Sequence, residues 1–110
     1  MKTNKLAGYA LNYAVALAEQ KRDDPDRLLP VEWHLADFCN NWDQGGPIIK
    51  REGIKLSEDT RGLCCAYIGE DGLEHWADTP LIAAMRCYVA SVLGDEVNIP
   101  HEIKEAEQWN

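Results

Sequence analysis

The stretch TPLIAAMRCYVASVLG, residues 79–94, decides the fold that we expect for this chain of 110 residues. Thr79 is a favoured helix N-cap, Pro80 suits the first helical position, and Gly94 suits the position after the last turn. Arg86 is the only charged residue between them. The stretch therefore predicts a mostly apolar helix that carries a single cation, Arg86.

This predicted helix has two unlike faces. Because successive helical residues turn by about 100°, the large apolar side chains form one stripe: Leu81, Ile82, Met85, Tyr88, Val89, Val92 and Leu93. The opposite side, which we call the small face, consists of Ala83, Ala84, Cys87, Ala90 and Ser91. A solvated face would carry charges instead. We therefore expect the helix to pack against a sheet on one side and against a second helix or a second subunit on the other.

Arg86 lies at the edge of the apolar stripe, where its stem can cover apolar surface while the guanidinium reaches solvent. This pattern favours a structural role over ligand binding, with Asp78 or Glu96 as the paired carboxylate. Cys87 is interpreted as a small packing residue, because no helix N-terminus or histidine is placed beside it to activate the thiol.

Another helix is predicted near the start of the chain, from Thr3 or Asn4 as the N-cap to about Lys21. Its apolar face has helical spacing and consists of Leu6, Ala10, Tyr13, Ala14 and Leu17, flanked by Leu11 and Val15. A narrow solvent-exposed stripe is expected at Gly8, Asn12 and Glu19. Charge and proline then make residues 23–30 a connector.

Strand patterns occur in the second half of the chain. Ile54 and Leu56 alternate with polar residues, as on an edge strand with one buried face. Residues 63–68, LCCAYI, are apolar on both faces, which predicts a central strand covered on two sides. The pair Asp71-Gly72 indicates a hairpin turn, and residues 73–76 are expected to form a short returning strand.

The middle of the chain is less regular. Pro47 suits the first turn of a short helix that stops at Gly53. Before it, residues 29–35 alternate as a strand would, whereas residues 35–42 fit a helical face equally well. We expect a short strand followed by a turn or a helical segment.

Length and charge indicate one soluble domain. A chain of 110 residues supports a single core, so the predicted domain spans 1–110, with an acidic tail at 100–110. No apolar run approaches the roughly 20 residues of a membrane span, and we expect a cytoplasmic protein. The net charge of −8 and isoelectric point near 4.7 argue against direct binding to nucleic acid or an anionic membrane. A basic protein partner is compatible with this charge.

The residue types that carry catalysis or bind metals are scattered. The four cysteines are Cys39, Cys64, Cys65 and Cys87. Without C-x-x-C spacing they are expected to be buried free thiols rather than disulfides or zinc ligands. The histidines, which also lack ligand spacing, are His34, His75 and His101. Gly45-Gly46 favours a tight turn over a phosphate-binding loop, because Pro47 removes an amide donor. We expect no catalytic residue, cofactor or metal.

Three segments carry a family resemblance. GGPIIKREGIKL (45–56) and TPLIAAMRCYVASVLGDEVNIP (79–100) closely resemble the NinX-like family of small phage and prophage proteins, a domain of unknown function. The opening KTNKLAGYALNYAVALAE (2–19) is similar to the first helix of that family. The resemblance implies an α+β fold related to phage alpha-beta-alpha sandwich domains, in which helices flank a small antiparallel sheet. It also implies a bacterial host cell, and it supplies no catalytic residues.

These observations lead to a ranked set of functional hypotheses. The first is a phage accessory protein that acts by contact with an unknown host or phage protein, through a surface around Trp42, Gly45, Gly46 and Arg86 or through the acidic tail. The second is an acidic decoy that imitates DNA and occupies a basic protein. The third is an enzyme in which Cys39 or Cys64 works with a histidine. A homodimer through the small face is a side prediction, with the first helix as the alternative occupant of that face.

Overall fold

The computed structural model of the chain describes residues 1–23, 36–69, 74–101 and 103. After a short 3₁₀ helix at Thr3–Lys5, its elements are α1 (Gly8–Asp23), α2 (Trp42–Glu52), β1 (Ile54–Glu58), β2 (Cys64–Ile68), β3 (His75–Ala77) and α3 (Pro80–Leu93). The predicted strand at 29–35 and the Asp71-Gly72 turn lie outside the described residues. The α+β class is confirmed, because helices flank a small antiparallel sheet.

Helix α3 forms as its sequence predicts. The Thr79 hydroxyl accepts a hydrogen bond from the Ile82 N–H at 3.1 Å, and Pro80 takes the first helical position. Gly94 follows the last turn with φ of 92°, a backbone conformation that favours glycine. The boundaries of this helix are therefore set by local chemistry at both ends.

Helix α3 is also the centre of the packing. It contacts all three strands of the sheet, and α1 and α2 pack against it as well. This confirms the expectation of a sheet and a helix as its two neighbours. Three members of the small face, Ala83, Ala84 and Cys87, are buried within the monomer. The small face therefore gives no separate reason to expect a homodimer.

The three strands lie in the order β1-β2-β3, and each neighbouring pair is antiparallel. Strand β2 is central, as predicted, and adjacent Cys64 and Cys65, which point to opposite faces, are both buried. Strand β1 is an edge strand, but only Ile54 is buried in it. Leu56 is 38% exposed, so its predicted burial is wrong.

Helix α1 begins later than its sequence suggests. Thr3 does not cap it, because the Thr3 hydroxyl donates to the Gly94 carbonyl at 2.7 Å and the Thr3 N–H donates to the Asp95 carbonyl at 2.8 Å. These bonds hold the first residues against the segment after α3, and the helix starts at Gly8. The predicted exposed stripe is wrong at Asn12, which is only 4% exposed.

Helix α2 is longer than predicted. It begins at Trp42 because the side chain of Asn41 accepts a hydrogen bond from the Asp43 N–H at 2.9 Å, a standard N-cap contact. Pro47, predicted in the first turn, lies inside the helix and removes one backbone donor. Gly53 ends the helix with φ of 67°, as predicted.

Candidate interaction surface

The structure separates the four residues proposed for an interaction surface. Trp42 is 51% exposed in the first turn of α2. A Cβ at half-buried Gly46 would lie 3.8 Å from the Trp42 ring, so these two residues are neighbours. Gly45 is buried instead. Arg86 lies on α3, where two other elements hold its side chain.

Gly45 has a packing role that explains why it lies inside. A Cβ at this position would come within 2.5 Å of the Phe38 carbonyl oxygen and 2.6 Å of Leu81 Cδ1. Side-chain atoms do not approach backbone so closely, and the site therefore requires glycine. This close approach brings α2 against α3 and the preceding turn. Gly45 is therefore not part of the proposed interaction surface, because a buried residue cannot contact a partner.

The partners of Arg86 are backbone carbonyls. Its Nε donates to the Leu6 carbonyl and its Nη1 to the Trp76 carbonyl, both at 2.8 Å. The predicted pairing with a carboxylate is wrong: Asp78 is not within ion-pair distance, and Glu96 pairs with Lys2 at 3.4 Å. Trp76 belongs to the edge strand β3. Arg86 thus joins the segment before α1 to one edge of the sheet.

The hydrogen-bond partners of Arg86 are neutral carbonyls, and they do not balance its positive charge. The side chain is half-buried, and this burial lowers the pKa of the guanidinium, while the nearby Asp78 carboxylate opposes the change. The positive charge also helps to lower the pKa of half-buried His75, after burial as the larger cause. Arg86 therefore carries a charge that no carboxylate in the described part of the chain neutralises by direct contact.

A second exposed tryptophan lies on β3, and its main-chain carbonyl is a partner of Arg86. Trp76 is 41% exposed, and its side chain shares a sheet face with Cys65 of β2, the residue directly opposite it. Sequence analysis did not select Trp76, because a three-residue edge strand has too little periodicity to show which face is solvated. The two remaining tryptophans, Trp33 and Trp109, lie outside the described residues.

A polar cluster joins the three helices on another side of α3. The Tyr88 hydroxyl donates to Glu19 Oε1 at 2.6 Å, and Arg51 Nη1 donates to Glu19 Oε2 at 3.1 Å. Arg51 Nη2 also contacts Glu19 Oε1 and donates to the Tyr88 hydroxyl. Arg22 of α1 extends the cluster by pairing with Glu52 of α2 at 3.1 Å. The cluster links α1, α2 and α3 through charged hydrogen bonds.

The charges in this cluster shift its titrations. Burial alone would raise the pKa of Glu19, but hydrogen bonds from Arg51 and Tyr88 outweigh it and the pKa is lowered. Burial and the bond to Glu19 raise the pKa of Tyr88. The hydrogen bond to Glu19 raises the pKa of Arg51. Each group therefore stays in its ordinary charge state at neutral pH, which fits a structural contact rather than proton transfer.

Asn12 anchors the turn before α2. Its side-chain amide donates to Asp37 Oδ1 at 3.1 Å, and its oxygen accepts the Cys39 N–H at 3.1 Å. The Cys39 thiol in turn lies 3.7 Å from the Gly8 carbonyl oxygen. The Asn12 amide thus provides an acceptor for the Cys39 N–H, which belongs to a turn and has no partner in a helix or strand. This explains why a polar side chain is buried on α1.

All four cysteines are buried free thiols, as predicted. Burial is the largest cause that raises each thiol pKa, to about 11 for Cys39 and for Cys87. The Cys64 thiol contacts the carbonyls of Gly62 and Asp78 at 3.8 Å. Neither Cys39 nor Cys64 pairs with a histidine in the described part of the chain.

Two further searches cover the same described residues. They contain no group of three or more His, Cys, Asp or Glu side chains placed to hold a metal ion. None of their helices has the length and apolar character that crossing a membrane requires.

By its fold the chain is a small α+β protein built around one central helix. A protein-family model described as Bacteriophage P22, NinX matches residues 2–92. The chain belongs to this NinX family, which confirms the resemblance and makes it a phage accessory protein. A comparison with curated proteins finds no match.

Proposed function

We propose that this phage protein acts by binding another protein rather than by catalysis. The observation that carries the proposal is the exposure of Trp42 and Trp76 on a folded domain, at 51% and 41%. Tryptophan and arginine dominate the binding energy of protein interfaces, and the main-chain carbonyl of Trp76 accepts a hydrogen bond from Arg86. The proposed contact residues therefore form two separate groups, Trp42 with Gly46 on α2 and Trp76 with Arg86 at β3 and α3. Gly45 contributes only by allowing α2 to pack closely against α3.

The chemistry of the thiols argues in the same direction. An enzyme based on Cys39 or Cys64 needs an accessible thiol and a base beside it. Both thiols are buried, and burial raises the pKa of each. Their nearest polar partners are oxygen acceptors rather than a histidine.

The decoy hypothesis stays a prediction. It requires carboxylates that are free and gathered on one face, and the net charge of −8 is compatible with it. Within the described residues, however, four carboxylates are paired with cations of the same chain: Glu19, Glu52, Asp59 and Glu96. These four carboxylates are therefore not free to bind a basic partner, and protein contact through aromatic residues is the better supported hypothesis.

The test is affinity capture from phage-infected or lysogenic cells. The tag belongs at the C-terminal end, because the Met1 amino group donates to the Val97 carbonyl. We expect the wild-type chain to recover a specific protein that the double variant Trp42→Ala/Trp76→Ala loses. Leu56→Ala is the matched control, since Leu56 is an exposed apolar residue on β1. Recovery of the same protein by the double variant, or no specific partner together with turnover of a substrate, contradicts the proposal.

A further inference from the structure

The two edge strands of the sheet differ in how their outward backbone groups are used. In an antiparallel ladder, successive residues direct their N–H and C=O groups alternately towards the neighbouring strand and away from it. On β3, the carbonyl of the middle residue, Trp76, accepts a hydrogen bond from Arg86 at 2.8 Å. Arg86 therefore occupies a carbonyl that a further strand would need at this edge.

Strand β1 forms the other edge, and the turn after it fixes which of its residues face outwards. The Asp59 N–H donates to the Leu63 carbonyl at 2.9 Å, so the backbone of Asp59 is directed at the chain that forms β2. The alternation then directs the backbone groups of Ile54, Leu56 and Glu58 away from β2. Within the described residues, these outward groups have no hydrogen-bond partner. The β1 edge is therefore open.

The side chains of β1 leave this edge accessible as well. Leu56 is 38% exposed, and Lys55, Ser57 and Glu58 are also exposed. An exposed edge strand is a template for pairing with another chain, and proline, bulges or charged side chains commonly prevent such pairing. Strand β1 contains no proline, and its register with β2 is continuous. Its main protection is Lys55, whose effect depends on the residue that lies opposite it.

The sequence of β1 is self-complementary in one register. A twofold axis at Leu56 pairs all five residues of the strand with those of a second copy. The two Leu56 side chains then meet, Lys55 lies opposite Ser57, and Glu58 lies opposite Ile54. An axis at Lys55 would place two lysines directly opposite each other, which is destabilising. An axis at Ser57 would place Leu56 opposite Glu58. Only the axis at Leu56 pairs the whole strand, joins apolar to apolar and opposes no like charges.

We propose that β1 pairs antiparallel with β1 of a second copy of this chain, with the twofold axis at Leu56. The outward groups of the two strands then bond to each other, and the two three-stranded sheets become one continuous sheet. The pairing gives Leu56 an apolar neighbour that the monomer does not supply. The inference goes beyond the proposed function and is independent of it, because β1 and β3 are opposite edges of the sheet. Capture of a partner through Trp42 and Trp76 does not require the pairing.

Cysteine cross-linking tests the register. All four native cysteines are buried, so that a cysteine introduced on β1 supplies the accessible thiol. In Leu56→Cys the two substituted positions face each other with Cα atoms about 5.5 Å apart, which a disulfide can span. In the control Glu58→Cys, the substituted positions are about 13 Å apart along the strands. With oxidised glutathione, we expect Leu56→Cys to form disulfide-linked dimers at least about tenfold faster, as non-reducing gels can measure. Equal rates would overturn the proposal.

Charge at position 57 tests the same pairing in solution. Ser57 is exposed, so its replacement leaves the core intact. Ser57→Glu places a carboxylate opposite Lys55 of the second copy and should tighten dimerisation about two- to tenfold, whereas Ser57→Lys should weaken it by a similar factor. Sedimentation equilibrium of the full chain at concentrations up to about 1 mM compares both variants with wild type. The proposal is wrong if the wild-type chain stays monomeric over this range, or if the two variants shift the equilibrium in the same direction.

Discussion

The hydroxyl of Tyr88 on α3 donates a hydrogen bond to Glu19 on α1 at 2.6 Å, across 69 positions of sequence. Arg51 of α2 contacts both partners, and its guanidinium lies over the Tyr88 ring at 5.6 Å. Tyr88 has no exposed surface. This contact is the polar point at which the three helices meet, and the stability of the fold should respond to it.

Replacing Tyr88 by phenylalanine tests that contact. The variant keeps the ring but leaves Glu19 and Arg51 without the hydroxyl, which should cost about 1–2 kcal/mol in the free energy of unfolding. Urea unfolding at neutral pH measures the cost. Tyr67→Phe is the control, because Tyr67 contacts Lys55 through its ring and its hydroxyl makes no hydrogen bond within the described residues. Equal losses in the two variants would show that the bond to Glu19 contributes nothing.

Glu19 should make part of the stability depend on pH. Its pKa in the folded chain lies below the ordinary value of 4.5, because the bonds from Arg51 and Tyr88 outweigh the effect of burial. A lowered folded-state pKa stabilises the fold above pH 4.5 and loses this effect as the pH falls through the folded-state value. Glu19→Gln should therefore be less stable than wild type at pH 7, and the difference should shrink towards pH 3.

Urea unfolding of both chains at a series of pH values measures this dependence. Glu58→Gln, an exposed carboxylate on β1, is the control variant. A deficit of Glu19→Gln that stays constant down to pH 3 would assign the loss to shape rather than to charge.

The neighbouring glycines of α2 should respond oppositely to alanine. In Gly45→Ala the added Cβ meets the Phe38 carbonyl oxygen at 2.5 Å, and the resulting overpacking should cost about 1–3 kcal/mol. In Gly46→Ala the nearest atom is 3.8 Å away, so the better helix propensity of alanine should add about 0.5–1 kcal/mol of stability. Thermal unfolding of the two variants gives the sign of each change. The packing assigned to Gly45 is wrong if both variants gain stability.

Asn12 should stabilise the fold although it is a buried polar residue. Asn12→Ala leaves the Cys39 N–H without its acceptor and removes the bond to Asp37, and the unfolding free energy should fall by about 1–3 kcal/mol. Asn40→Ala is the matched control, because Asn40 bonds the same Asp37 oxygen from an exposed position. Chemical denaturation of the pair compares a buried with an exposed amide. Similar effects would mean that burial of Asn12 adds nothing.

Residues 79–94 and 63–68 determined by themselves that a capped apolar helix and a buried central strand exist. Thr79, Pro80 and Gly94 act on backbone within a few positions, and residues 63–68 have no polar face to expose. Gly53 ended α2 for the same local reason. The start of α2 was missed because Pro47 is an obvious helix signal, whereas the Asn41 cap lies in a segment whose strand and helix patterns compete.

The tertiary structure alone decided where the polar side chains go. Thr3 does not cap α1, because its hydroxyl donates to the carbonyl of Gly94, which lies 91 positions away. Asn12 is buried because its side chain accepts a hydrogen bond from the Cys39 N–H in a turn distant in sequence. Arg86 donates to the carbonyls of Leu6 and Trp76 rather than to a carboxylate. Such hydrogen bonds depend on how the folded helices and strands pack against each other. Hydrophobic periodicity and capping residues depend only on the local sequence of one element. They therefore do not predict which polar groups of another element will lie next to it.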